Sequence, residues 1–332
     1  MKITRFALAL VLTAALLYIA RTNSRGRPEP YVHTDRGFTL EMMTVPKAYE
    51  VDTARITATI RGPFDGSVQP VLRHARFGQD ETTPLYRYRT TPLEVLDSAG
   101  GRYGYLMTAG LKGGRFLYYI EVRDKIGGQR AVFLDGGRPF VMKYVGHVPT
   151  WLLLTHIALM FATVYFVVIG ALHGARLTGG GTDVFPMARA YGIAALCAFL
   201  GGYPFGIPMN WFTFGTTWEG VPFGTDATDN KTQLLFVYLL LVVFAAFGSL
   251  TRRRVGRDAY PPRVLGWLGV LGFAVMLGIY LIPHSIQFSP ALTRIVCWSF
   301  IGLAAAAYFG GLAAGIVRRR APRAHKAERR AG

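Results

Sequence analysis

From residue 148 onward the apolar positions of the chain run together instead of alternating. The runs cover about 149–172, 187–207, 232–250, 264–282 and 292–317. Each is long enough to cross a hydrocarbon layer of about 30 Å at about 1.5 Å per helical residue. A sixth and shorter run, "FALALVLTAALLYIA" at 6–20, follows Lys2 and Arg5. A basic start and an apolar stretch make the pattern of a secretory leader. This one has no small-x-small cleavage site and ends among arginines, so an uncleaved signal anchor is expected, with residues 1–30 as first transmembrane helix and linker.

Between the first run and the others the period changes. "ARITATIRG" (54–62) alternates through Ile56, Thr57, Ala58, Thr59 and Ile60, and "PLYRYR" (84–89) reads the same way. "RYGYLMTA", "GRFLYYIEVRDKIGGQ", "AVFL" and "FVMKYV" follow, up to residue 145. Short alternating runs separated by turn residues predict an all-β sandwich. The expected whole is therefore a polytopic α-helical membrane protein with an inserted extracytoplasmic β-sandwich at 31–147. A five-helix transmembrane bundle follows at 148–317, with a basic tail at 318–332.

The order "LYRYR…GGRYGYLMTAG…GGRFLYYIEVRDKIGG" resembles the immunoglobulin or fibronectin-type-III-like domains of bacterial extracellular proteins. In those domains a YYI-x-x-x-D strand ends at a glycine turn, here Tyr118, Tyr119, Ile120 and Asp124 with Gly127 and Gly128. The Cys…Trp…Cys pattern of antibody domains is absent from this segment. The resemblance covers about a third of the chain. It implies a binding, spacing or bracing module and speaks to fold more than to function.

Charge fits this picture. The chain has 332 residues, 51% hydrophobic and 17% charged, with a formal charge of +18. The basic clusters "RRRVGR" and "RRRAPRAHKAERR" directly follow apolar runs, which marks cytoplasmic loops and not a nucleic-acid surface. The 251–263 loop sets five arginines against Asp258, and the tail sets seven basic residues against Glu328. On the other side, Glu219, Asp226 and Asp229 outnumber Lys231 across 208–231. The alternation puts both termini in the cytoplasm of a bacterial cytoplasmic (inner) membrane and the β domain outside it. The basic tail also suits contact with anionic lipid. Cys197 and Cys297 both lie in apolar runs, without metal-ligand spacing.

No P-loop, GxGxxG, HExxH or CxxC motif occurs. Three features carry candidate chemistry. His156 lies within a span and His284 at the end of another, which makes them the candidate cofactor ligands; no cofactor is assigned, with b-type haem or a quinone as the groups to consider. The alternative for His156 is a hydrogen bond to a neighbouring helix. The second feature is the aromatic run "GGYPFGIPMNWFTFGTTWEGVPFG", in which Pro204 and Pro208 are expected to stop the helix. Trp211 and Trp218, with Lys231, are its candidate binding surface. The third is "WEGVPFGTDATDNKTQ", where Glu219, Asp226 and Asp229 could offer oxygens to a divalent cation. The alternative there is helix capping, with Asn230 as N-cap and Gln233 completing the box. The expected function is a non-catalytic membrane subunit or scaffold that presents its sandwich to a membrane-protein partner in the bilayer. The competing expectation is a redox or transport component.

Overall fold

The computed structural model describes residues 2–22, 27–50, 53–64, 67–75, 83–107, 110–251, 257–282 and 288–331. The chain divides into two compact units. One holds Gly26–Val148 with Asn210–Thr216, and the other holds Met1–Arg25, Pro149–Met209 and Thr217–Gly332.

The first unit is a sandwich of two sheets. One sheet runs β1 (Pro30–Asp35), β2 (Phe38–Met43), β4 (Ala54–Arg61), β8 (Arg102–Met107), β7 (Glu94–Asp97). The other runs β3 (Lys47–Tyr49), β11 (Phe140–Val145), β9 (Arg115–Asp124), β5 (Val68–His74), β6 (Arg89–Pro92). The last strand, β10 (Gln129–Phe133), shares one edge of β9 with β11: β11 pairs along Arg115–Tyr118 and β10 along Ile120–Arg123. Strands β2-β4-β8-β7 facing a β9-centred sheet reproduce the ABED and CFG sheets, an order consistent with an immunoglobulin-like sandwich.

The period-2 pattern of β4 explains its place. Ile56, Ala58 and Ile60 are buried between the sheets while Arg55 and Arg61 face solvent. Strand β9 is buried on both faces. Tyr118, Ile120 and Val122 enter the main core, and Leu117 and Tyr119 enter a second cluster with Tyr88 and Leu85. That cluster corrects the expected strand at 84–89. Leu85–Arg87 is a short 3-10 turn, closed by Arg87 N–H to Pro84 O (3.0 Å) and Tyr88 N–H to Leu85 O (3.1 Å). Alternation in "PLYRYR" reflects Tyr88 turning inward over β9 and Tyr86 turning out, and not a pleat. The same covered face holds Glu121, 3.7 Å from the guanidinium Nε of both Arg73 and Arg123. Burial pushes the Glu121 carboxyl above the ordinary glutamate range, against the opposite pull of Arg123 and Arg73.

In the second unit the helices are α1 (Lys2–Thr22), α2 (Thr150–Thr178), α3 (Phe185–Gly202), α5 (Ala227–Ala245), α6 (Phe247–Leu250), α7 (Pro262–Leu281) and α8 (Pro290–Ala331). Helix α4 (Gly206–Phe214) begins in this unit and ends among the residues assigned to the other. Among the described residues, five segments are long and apolar enough to cross a membrane: Thr150–Thr178, Phe185–Phe214, Ala227–Ala245, Pro262–Leu281 and Pro290–Gly315. Their length and composition point to membrane association. The apolar part of α1, Phe6–Ile19, falls short of that length, so the expected sixth span is not among them.

Helix α7 packs on α2 through small residues. A Cβ on Gly174 would stand 2.8 Å from the Gly266 carbonyl oxygen, so only glycine permits this approach. Two tyrosine hydroxyls donate to α7 carbonyls, Tyr191 to Gly269 O (2.5 Å) and Tyr238 to Leu268 O (2.7 Å).

Candidate functional site at one end of the helix bundle

The site begins at the break after α3. Pro204 has no N–H to give to the carbonyl of Leu200. Phe205 N–H takes that carbonyl instead, at 3.1 Å, and thereby leaves the Gly201 carbonyl without its own helical donor. His156 of α2 fills the gap, with Nδ1 2.9 Å from Gly201 O. A carbonyl only accepts, so Nδ1 carries the proton and Nε2 holds the lone pair. The helix also resumes: Pro208 is the third residue of α4, where the missing N–H costs little, so it does not stop the chain as expected.

The loop 217–226 and the start of α5 lie beside this break. Trp218 stacks on Tyr203 with ring centroids 5.2 Å apart. Helix α5 starts four residues earlier than the Asn230 cap required. Its N-cap is Asp226, whose side chain accepts from Thr228 N–H (2.8 Å) and Asp229 N–H (3.0 Å). Asn230 sits in the first turn and clamps the loop. Its Oδ1 accepts from Val221 N–H (2.9 Å), and its Nδ2 donates to Asp226 O (2.8 Å). Asp229 Oδ2 accepts from Glu219 N–H (2.7 Å), and Asp226 N–H returns to Glu219 O (2.8 Å). Gly224 closes the turn so tightly that a Cβ there would lie 2.2 Å from Glu219 O.

Lys231 completes the cluster. Its ammonium donates to the carbonyl of Ile282 (2.8 Å), the residue that follows α7, where the helix dipole is negative. Asp229, Asn230 and Lys231 are all buried. Burial of three polar side chains in an apolar bundle is tolerated because each meets a backbone group that the loops leave open.

The predicted residues therefore separate. His156, Trp218, Glu219, Asp226, Asp229 and Lys231 belong to one unit. Trp211 lies in Asn210–Thr216, assigned to the sandwich unit, with the Lys112 ammonium 5.2 Å from its ring centre. His284 lies outside the described residues, so its pairing with His156 is not described. Among the described residues, no group of three or more His, Cys, Asp and Glu is placed to hold a metal ion. At Asp226 and Asp229 the carboxylate oxygens accept from backbone N–H groups. Sequence reading did not foresee the bond from His156 to the Gly201 carbonyl or the stack of Trp218 on Tyr203, and it assigned Asn230 a different part. Pro204 was the available signal for Gly201: a proline in an apolar run frees a carbonyl one turn earlier, and a histidine on the next run can serve it.

No protein-family model matches the chain, and no curated protein matches it.

Proposed function

We propose that the protein is a membrane-held recognition subunit or scaffold that presents an immunoglobulin-like sandwich to a membrane-protein partner. The observation that carries this reading is the layout of the sandwich. Its core is its own, and its two main connections to the helical unit leave from one end. Pro30 pairs with Met43 at that end, and β11 finishes there beside the start of β9. The turns at the other end of the sandwich carry neither of these connections. Charge asymmetry of the loops supports an extracytoplasmic sandwich with cytoplasmic termini in a bacterial cytoplasmic membrane.

The test is the mass of the particle extracted gently from native membranes. It should exceed the mass of the copies of this 36.6 kDa chain that it contains, after detergent is subtracted, with a second polypeptide present in fixed ratio. A particle built only of this chain would sink the proposal.

One observation favours a second reading, a redox or transport component. The Gly201 carbonyl orients His156 so that Nε2 keeps its lone pair, the arrangement a histidine ligand to haem or metal adopts. An optical spectrum of the purified protein decides the haem form: without a Soret band that responds to dithionite, it falls.

A further inference from the structure

Two hydrogen bonds between residues distant in sequence close one ring of backbone. Gly146 N–H, just past β11, donates to Thr213 O in the last turn of α4 (2.9 Å). His156 lies on the segment that continues from Gly146 into α2, and it meets Gly201 O. From Gly201 the chain leads through the Pro204 break into α4. The circuit therefore runs along the chain from 146 to 156, across to 201, along the chain to 213, and back to 146. Most of it is helix. Helix α4 alone is nine residues, or about 14 Å of stiff rod.

Each corner of the ring is a close fit. At the sandwich corner Gly146 is buried, and a Cβ there would stand 2.1 Å from Phe212 O. A Cβ on Gly113 would stand 2.3 Å from Phe214 O. Gly113 holds the left-handed conformation, with φ +80°, and its N–H donates to Tyr144 O (2.9 Å). Tyr144 itself lies in the sandwich core. Carbonyls of the last turn of α4 are thus approached by glycines tied to that core. The Lys112 ammonium over Trp211 adds a cation near the negative end of the helix. At the other corner Gly201 lies close against α2, where a Cβ would be 3.0 Å from Met160 Sδ and 3.1 Å from Leu159 Cβ. Gly202 lies against α5, where a Cβ would be 2.6 Å from Thr232 Cγ2. The end of α3 is therefore wedged in place, and the bend falls after it, at Pro204.

We infer that α4 is a hinged strut that couples the sandwich to His156, so that the Gly146–Thr213 bond and the His156–Gly201 bond hold together and open together. Once either bond is made, the other closes within a ring of fixed length, and much of the ordering it requires is already in place. A stiff helix carries a displacement of its last turn to its first. The Pro204 break, one hydrogen bond short, is where it bends. A partner that shifts the hold of the sandwich on α4 therefore alters the bond at His156. Anything that engages His156 alters that hold by the same factor. The coupling itself depends on neither event.

Hydrogen–deuterium exchange on the full chain in nanodiscs tests the strut from both ends. H156L removes the donor at Gly201 O. It should speed exchange at least about fivefold across 205–215 and also at Gly146, at the opposite corner of the ring. H156Q, which keeps a donor, should exchange like the parent chain. G146A forces the sandwich corner open. It should speed exchange by a similar factor at Phe205 and Ile207, whose N–H groups bond Leu200 O (3.1 Å) and Tyr203 O (3.0 Å). Amides of Ile120 in β9 and Leu239 in α5 should be unchanged in both variants. Effects confined to 201–209 in H156L and to the sandwich corner in G146A would make the bonds two independent caps and overturn the strut. So would H156Q matching H156L, or a rise at Ile120 and Leu239 equal to that in 205–215, which would mean general loosening. The two variants act at opposite corners, so if one fails to assemble the other still decides.

Discussion

Among the described residues, ion pairs between side chains occur in the sandwich and not in the helical unit. In the sandwich, charges meet charges: Arg55 with Glu94, Arg61 with Glu41, Arg130 with Asp124, and Arg73 and Arg123 with Glu121. In the helical unit, Asp226, Asp229, Asn230, Lys231 and His156 meet backbone groups. Asp258 does so as well, accepting from Ser249 N–H (2.8 Å) along with the Ser249 hydroxyl (2.6 Å). A sheet pairs most of its own N–H and C=O groups, which leaves side chains to each other and to water. A helix that breaks in apolar surroundings frees backbone groups that water cannot reach, so side chains must serve them. Carboxylates of the sandwich thus divide between arginines and backbone N–H groups, while those of the helical unit serve backbone groups and a serine hydroxyl.

The strongest way to break this contrast is to cut into the sandwich core. Ile120→Ala removes a fully buried side chain and should cost about 2–5 kcal/mol. Limited proteolysis and thermal melting should show the loss in the sandwich, while the Tyr191 and Tyr238 contacts in the helical unit persist. Loss of both together would mean that the units do not have separate cores.

Asn230→Ala comes next. It leaves the buried Val221 N–H without its acceptor, and such an orphan costs about 1–3 kcal/mol. Unfolding in detergent should shift accordingly, and Asn230→Asp, which keeps the acceptor, should recover part of it. Equal losses from both would show that Val221 is not what matters.

Asp226→Ala removes only the cap, so about 1 kcal/mol is expected, with Asp226→Ser close to the parent. Loss of function at unchanged stability would instead give Asp226 a ligand role, and the contrast between the units would narrow.

The smallest effect is a pH slope. Burial raises the folded pKa of Glu121 above its unfolded value. Stability from that protonation is complete below the ordinary glutamate range and is lost as pH rises through the raised value. The melting temperature of the sandwich should therefore fall more between acidic and neutral pH in the parent chain than in Glu121→Gln. Identical slopes would refute the assignment.

Much of the architecture was legible beforehand because it depends on local period. "ARITATIRG" became β4, "RFLYYIEVRD" became β9, and five apolar runs became helices long enough to span. Errors arose where two local signals competed. Asp226 and Asn230 are both good caps, and the loop decided between them, because Asn230 was needed at Val221 N–H. Alternation at 84–89 imitated a strand because two tyrosines of a turn faced opposite ways. "FTLEMM" at β2 alternates as clearly as β4, yet its strand was not singled out.

By itself, the sequence determined which segments are apolar enough to leave water, where the period changes from helical to pleated, and which loops are basic. Those properties follow from side-chain transfer and backbone geometry and need no partner. The partners of His156, Asn230 and Lys231 were decided only in three dimensions. A polar atom's role depends on which backbone group the fold leaves open beside it, and residues as distant as 156 and 201, or 231 and 282, meet only once the helices have packed.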